Sequence, residues 1–222
     1  GPSGFFTAPS VGAGTANTEF EVMTQMNVHD FGTGEYPYKT ILQDTTCESI
    51  AYNLKELGLS THVLHNNTAT FYDRDKVFSK LGFDSFTSIE YMNDVEYNEI
   101  GWAKDSILTG EILDLVDSTA SRDLIYTISV QPHGAYPTDS ESDGIRVLSG
   151  IEDEALRSEM EYYATQLQEV DDFLRALTAA LEALDEPTVL VVYGDHMPSL
   201  EIEESELDSG NLYTTEYAVW AN

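Results

Sequence analysis

The sequence predicts an α/β fold, and three observations carry that prediction. A continuous apolar run, Val189-Leu190-Val191-Val192-Tyr193, lies between Pro187 and Gly194. Short runs of this kind read as strands buried on both faces, as in a parallel sheet. Between Cys47 and Leu81 the pattern goes helix, strand, polar loop, helix, which is the order of an α/β unit. Finally, separate predicted strands run into His65, His133 and His196. In α/β sheets ligands bind beyond the carboxyl ends of the strands.

Each element follows from its local pattern. Residues 1–14 are rich in Gly, Ala, Ser and Pro and read as a loop, with Gly1-Pro2-Ser3 resembling a tag remnant. Gly12 and Gly14 then permit close backbone approach. Thr15, Asn17 and Thr18 are helix-capping types, and Phe20, Val22 and Met23 begin an apolar helical face. Residues 27–45 carry the breakers Gly32, Gly34 and Pro37 and read as a loop. A helix is predicted from Cys47 to Leu57, closed by Gly58. A strand over Thr61–Leu64 delivers His65. The segment Asn66–Arg74 reads as a loop, and Asp75–Leu81 as a short helix closed by Gly82. Residues 83–103 show no clear period. Ile107, Leu108, Ile112, Leu113 and Val116 recur at helical spacing, so Lys104–Val116 is a helix. Leu124–Val130 is a strand leading to Gln131-Pro132-His133-Gly134. The longest helix, Asp153–Leu184, carries a stripe of Leu156, Met160, Tyr163, Leu167, Val170, Leu174, Leu177, Leu181 and Leu184. After the 189–193 strand comes an acidic loop, Glu201–Asp208. A last strand covers Tyr217–Trp220.

Composition narrows the function. Ten Lys plus Arg face forty Asp plus Glu, a formal net charge of -30. Nucleic-acid binding needs clustered Lys and Arg, so that class is excluded, and so is docking on an anionic membrane surface. The balance favours solubility and cation binding. Cys47 is the single cysteine, which leaves no intrachain disulfide and no cysteine-based zinc site. No apolar run is long enough to span a bilayer.

Two stretches carry chemistry. A Gly-rich turn running into a helix at Thr15 suits a phosphate. The Thr15 hydroxyl reads as a cap, or as a nucleophile if a metal or base activates it. Asp195 and His196, beyond the 189–193 strand, are suited to hold a divalent metal. They read equally as a capping Asp beside a loop His.

Taken together, GAGTANTEFEV, HNNTATFYDRDKVFSKLGFDSF, QPHGAY and VVYGDHMPSL resemble, in order and spacing, the lipoteichoic acid synthase-like phosphoglycerol transferases of the alkaline phosphatase and sulfatase superfamily. The resemblance covers nearly the whole chain. It implies a three-layer α/β/α fold with a mostly parallel central sheet, alkaline phosphatase-like and truncated at both ends. Residues 1–222 would be one partial catalytic domain. A first strand bearing an acidic metal ligand would precede Gly1, and further strands would follow Asn222. The resemblance assigns Thr15 as nucleophile and metal contact, and Asp195 and His196 as metal ligands. His65, Asn67, Arg74 and His133 would line the phosphoglycerol pocket, with Phe71 and Tyr72 as its aromatic wall. His133 would also move a proton. The ion is expected to be manganese or magnesium, and the fragment itself is expected to bind it weakly and to show little or no activity. The donor would be an anionic glycerophospholipid head group and the acceptor would contain glycerol. The setting would be the extracellular face of a bacterial membrane, reached through parent-protein segments.

The sequence also departs from that family. Asn67 stands where some members carry Asp, Tyr72 where some carry Trp, and Gly14 where the best-known synthases carry Lys. These changes bear on donor and acceptor identity more than on the chemistry. Formylglycine sulfatases share the fold but need a Cys or Ser in a C/S-x-P-x-R motif. Cys47 is followed by Glu-Ser-Ile-Ala, so that reading fails. Two alternatives stand beside the transferase: another phospho-head-group transferase or phosphodiesterase of the superfamily, and a non-catalytic acidic interaction module. For Arg74, the alternative to a ligand role is a salt bridge with Asp73, Asp75 or Asp84.

Overall fold

A computed structural model of the chain describes every residue except Ser142. Its strands are β1 (Ser3–Thr7), β2 (Ser60–His65), β3 (Ser85–Ser88), β4 (Asp123–Ile128), β5 (Val189–Tyr193) and β6 (Thr214–Ala221). Its α-helices are α1 (Thr15–Thr24), α2 (Ile41–Asp44), α3 (Ile50–Glu56), α4 (Arg74–Lys80), α5 (Ile107–Ser118) and α6 (Glu154–Glu182). They fall into two compact units built from interleaved segments. One comprises residues 15–97 and 103–130, the other residues 1–14, 98–102 and 131–222.

The first unit holds the parallel sheet, in the order β3-β2-β4. Central β2 pairs parallel with both neighbours, so that His65 stands opposite Ser88 on one side and Ile128 on the other. Parallel neighbours require crossovers, and α4 and α5 lie in the connections. The core joins Phe20 and Met23 of α1 to Val63, Val77, Phe78, Leu81 and Phe83. Phe78 is its aromatic hub, meeting Tyr38, Phe83 and Phe86 edge-on at 6.2, 5.8 and 4.9 Å between centroids. Such pairs add to the area they bury.

The termination of α4 shows how local chemistry fixes the path. The Phe83 amide donates to Phe78 O at 3.1 Å and the Gly82 amide to Ser79 O at 3.2 Å. Gly82 has φ +88°. This is the Schellman arrangement, with Phe83 packed on Phe78 as its apolar contact. It turns the chain directly into β3.

The second unit holds an antiparallel sheet in the order β1-β6-β5. Here several expectations are corrected. Residues 3–7, read as loop, form β1, with Ser3 opposite Ala218. β5 is an edge strand whose neighbour β6 is antiparallel, and Val189 and Val191 are exposed. The 189–193 run is therefore not buried on both faces. β3 arises from a stretch with no readable period, because its pairing comes from β2 and not from its own sequence. The face that α6 buries also differs from the expected stripe. Its buried residues are Tyr162, Gln166, Phe173, Leu177 and Leu181, and Leu167 of the expected stripe is exposed. Gln166 turns inward because Gln131 and Asn98 donate to its Oε1 at 3.0 and 3.2 Å. Satisfied polar pairs outweigh the simple apolar period there.

Candidate active site

β2 delivers His65 as its last residue, at the carboxyl end of the parallel sheet. Its Nδ1 lies 2.9 Å from Ile128 O, and its Nε2 lies 3.2 Å from Arg74 Nη1. A guanidinium only donates, so Nε2 accepts and Nδ1 carries the proton. Burial, then the Arg74 charge, push the His65 pKa down to about 3, so the ring is neutral at physiological pH.

Arg74 opens α4 and is 1% exposed. Its Nη2 pairs with Glu19 Oε1, its Nε donates to Glu19 Oε2 at 3.3 Å, and its Nη1 also donates to Phe71 O at 3.3 Å. The ion-pair partner is thus Glu19, not Asp73, Asp75 or Asp84. Asp73 pairs with Lys39 at 2.6 Å and Asp84 with Lys55 at 2.6 Å. Lys39 holds the Asp73 carboxyl below the usual carboxylate range.

Phe71 and Tyr72 flank the guanidinium, with ring centroids 5.7 and 5.2 Å from its carbon. Tyr36 stacks on Tyr72 at 6.0 Å. Tyr72 and Asp73 both adopt left-handed backbone, φ 59° and 56°. Two consecutive non-glycine residues in that region cost about 1–3 kcal/mol each and concentrate at working sites. Asn67 Oδ1 accepts from the Thr68 amide at 2.7 Å, and Asn67 O from Ile89 N at 3.2 Å, which ties this loop to the end of β3. Thr15 is the first residue of α1, with Gly14 before it at φ +107°. The structure therefore gathers His65, Arg74, Phe71 and Tyr72 into one cluster, with Asn67 on the adjoining loop.

The other unit carries the remaining residues. Gly194 ends β5, its amide donating to Glu216 O at 3.0 Å and its carbonyl accepting from Thr215 Oγ1 at 2.6 Å. This pins Asp195 and His196 to the sheet. His196 Nδ1 lies 2.7 Å from Met197 O, and its Nε2 lies 3.3 Å from Asp195 Oδ2. Met197 O also accepts from the Gly12 amide at 3.0 Å, and Val11 bridges to Met197 in parallel.

His133 is built the same way. Its Nδ1 lies 2.7 Å from Gly134 O, which also accepts from Trp102 Nε1 at 3.2 Å. The Trp102 ring meets the imidazole edge-on at 5.0 Å. The strand predicted to end in His133 stops at Ile128, so His133 sits in a loop and not at a strand end. Beside it, burial first, then the Tyr163 neighbour, push the Tyr136 phenol well above its usual range.

A divalent cation fits the Asp195–His196 pair. With Nδ1–H bound to Met197 O, Nε2 is the ring nitrogen that lies on the Asp195 side and is the one placed to share a cation with that carboxylate. Two ligands about 2.1 Å from one ion lie roughly 3.0–3.4 Å apart, depending on geometry, and the observed 3.3 Å falls in that range. Among the described residues, no group of three or more His, Cys, Asp or Glu assembles as a metal cluster.

Glu19 and Trp102 were missed as site residues by sequence reasoning. A signal existed for Glu19. Ala16, Glu19, Phe20 and Met23 share one helical face, and three of the four are core residues. A carboxylate on such a face demands a buried partner. Trp102 lies in the stretch with no readable period and gave no comparable signal.

Residues 3–222 match the family model described as Sulfatase. The chain belongs to the Sulfatase family. A putative cyclic β-1,2-glucan modification protein of Rhizobium meliloti (strain 1021) is 30% identical over 193 residues, 87% of this chain and 30% of that protein. The Streptococcus pyogenes phosphoglycerol transferase GacH, solved in complex with sn-glycerol-1-phosphate, superposes with a TM-score of 0.81. It is 24% identical, with 99% of this chain and 58% of that one covered. The lipoteichoic acid synthase LtaP from Listeria monocytogenes gives a TM-score of 0.73 at 20% identity, covering 97% of this chain and 56% of that one. The expected alkaline phosphatase-like α/β fold is borne out by these likenesses. The chain spans about a third of the curated relatives it matches. Sulfatase-family membership thus comes without a formylglycine motif.

Proposed function

We propose that this Sulfatase-family chain is the core of a metal-dependent phosphoglycerol transferase of the cell envelope. The observation that carries the reading is His196 Nε2 lying 3.3 Å from Asp195 Oδ2, with the other ring nitrogen bonded to a backbone carbonyl. Met197 also pairs with Val11 and Gly12, the residues that lead into the Gly-rich turn before Thr15. The phosphoglycerol assignment is supported by the likeness to the phosphoglycerol transferase GacH and the lipoteichoic acid synthase LtaP.

In this reading Asp195 and His196 would hold manganese or magnesium, and Thr15 would be a further contact. The ion would supply Lewis-acid charge that favours ionisation of a hydroxyl and neutralises phosphoryl oxygens. Thr15 Oγ attacks the phosphorus of a phosphatidylglycerol-type lipid. The bond to the diacylglycerol oxygen breaks, and that oxygen leaves with a proton. An acceptor hydroxyl then attacks the phosphothreonine-type intermediate and frees Thr15. His133, its Nδ1 fixed by Gly134 O, is the group that moves the proton through Nε2. Phe71, Tyr72, Asn67, His65 and Arg74 form the phosphoglycerol pocket. The acceptor contains glycerol, and the parent protein works on the outer face of the membrane.

A second reading changes the acceptor. The Rhizobium meliloti relative is named for modification of a cyclic glucan, which favours a glycan hydroxyl. Transfer to labelled glycerol-containing and glucan acceptors, measured with the whole protein, separates the two. In the same assay Thr15→Ala is expected to abolish transfer, and unchanged transfer would remove Thr15 from the chemistry. Calorimetric titration with manganese is expected to show a site that Asp195→Ala removes. Manganese binding that survives Asp195→Ala would exclude that carboxylate as a ligand.

A further inference from the structure

α1 carries a second acid–base feature one turn beyond Thr15. Glu19 is 2% exposed and Arg74 1%, so the pair is shut away from water. Glu19 Oε2 accepts from Arg74 Nε at 3.3 Å and from Tyr38 Oη at 2.9 Å, and Oε1 takes Arg74 Nη2. Of the five guanidinium donors, the remaining bonds go through Nη1 to Phe71 O and to His65 Nε2. Every bond in the series has one direction. Tyr38 and Arg74 donate to Glu19, Arg74 donates to His65, and His65 donates to Ile128 O at 2.9 Å.

We propose that Glu19 is a positioning residue of the phosphoglycerol pocket. Its carboxylate fixes the Arg74 fork in one plane, and through Nη1 it fixes the tautomer and ring orientation of His65. A bidentate carboxylate sets the plane of a guanidinium in a way that no single acceptor does. The ring orientation follows, because Nη1 can reach Nε2 only while the fork is held. Glu19 also neutralises the buried guanidinium, so the cluster carries no net charge. The role deepens the phosphoglycerol reading and rests on it for the identity of the ligand.

The test uses 15N-histidine-labelled protein, with sn-glycerol-1-phosphate as the probe. In Glu19→Gln the His65 Nε2 resonance is expected to move toward that of a ring nitrogen with no donor. Probe affinity is expected to fall about ten- to a hundredfold, the range of a charge-assisted hydrogen bond. Because the buried Arg74 charge then lacks its counter-charge, Glu19→Gln is also made in the Arg74→Gln background, where two neutral amides face each other. If Glu19 acts through Arg74, adding Glu19→Gln there changes neither reading relative to Arg74→Gln alone. A further loss in that background would overturn the proposal. So would an unmoved His65 resonance with affinity within about twofold in Glu19→Gln. The resonance is read without ligand or turnover. Transfer that survives Thr15→Ala therefore removes the threonine nucleophile, and absence of transfer by the parent protein sinks the enzymatic reading, while either leaves the Glu19 result to stand or fall separately.

Discussion

At the scale of single residues, His65 sets an acid limit on stability. Its pKa is about 3 in the folded protein against an ordinary 6.5. Below pH 6.5 the unfolded chain takes up a proton that the folded chain refuses. The His65 contribution is complete above about pH 6.5 and is lost as pH falls toward 3, for a total on the order of 4–5 kcal/mol. His65→Gln is therefore expected to flatten the stability curve between pH 6.5 and 4 by about one proton, measured by urea unfolding at each pH. Equal slopes in the two proteins would mean that His65 is not held neutral. The sequence located His65 correctly at a strand end. It did not show which partner Arg74 takes. Three nearby aspartates were candidates by sequence distance, whereas the observed partner, Glu19, is separated from Arg74 by fifty-five positions and meets it only after α1 and α4 pack.

At the scale of elements, boundaries marked by glycine were legible and boundaries set by pairing were not. Gly82 closes α4 where the sequence placed it, since the Schellman turn needs positive φ and Phe83 needs to reach Phe78. A Cβ at Gly82 would lie 2.7 Å from the Tyr52 ring. Gly82→Ala is expected to destabilise by about 2–4 kcal/mol, combining backbone strain with overpacking, as a lowered urea midpoint with unchanged m. A midpoint equal to that of the parent would show that Tyr52 and the turn both adjust freely. β1 and β3 were invisible because a short strand of mixed residues gains its order from its neighbour. β5 was visible, but its surroundings were not. An apolar run gives a strand, while its pairing partner and the burial of each face belong to the tertiary arrangement.

For the whole molecule, forty acids against ten Lys plus Arg give a chain that repels itself. Ion pairs such as Lys39–Asp73 and Lys55–Asp84 engage some of the cations but leave the large excess of acid. Added salt screens that repulsion over about 8–10 Å near physiological strength. Raising sodium chloride from low concentration is therefore expected to raise Tm, and a falling Tm would mean that attractive pairs outweigh the net charge. By itself the sequence determined the α/β class, most helices, the histidine at the end of β2, and the motifs that place the chain in its family. These depend on local period, turn chemistry and order along the chain, which a linear string retains. Only the tertiary structure decided that Glu19 holds Arg74, that α6 turns Gln166 inward, that β5 lies at a sheet edge, and that His196 faces Asp195 with its Nδ1 on Met197 O. Each of those depends on which distant groups are left to satisfy one another once water is excluded, and no local pattern records that.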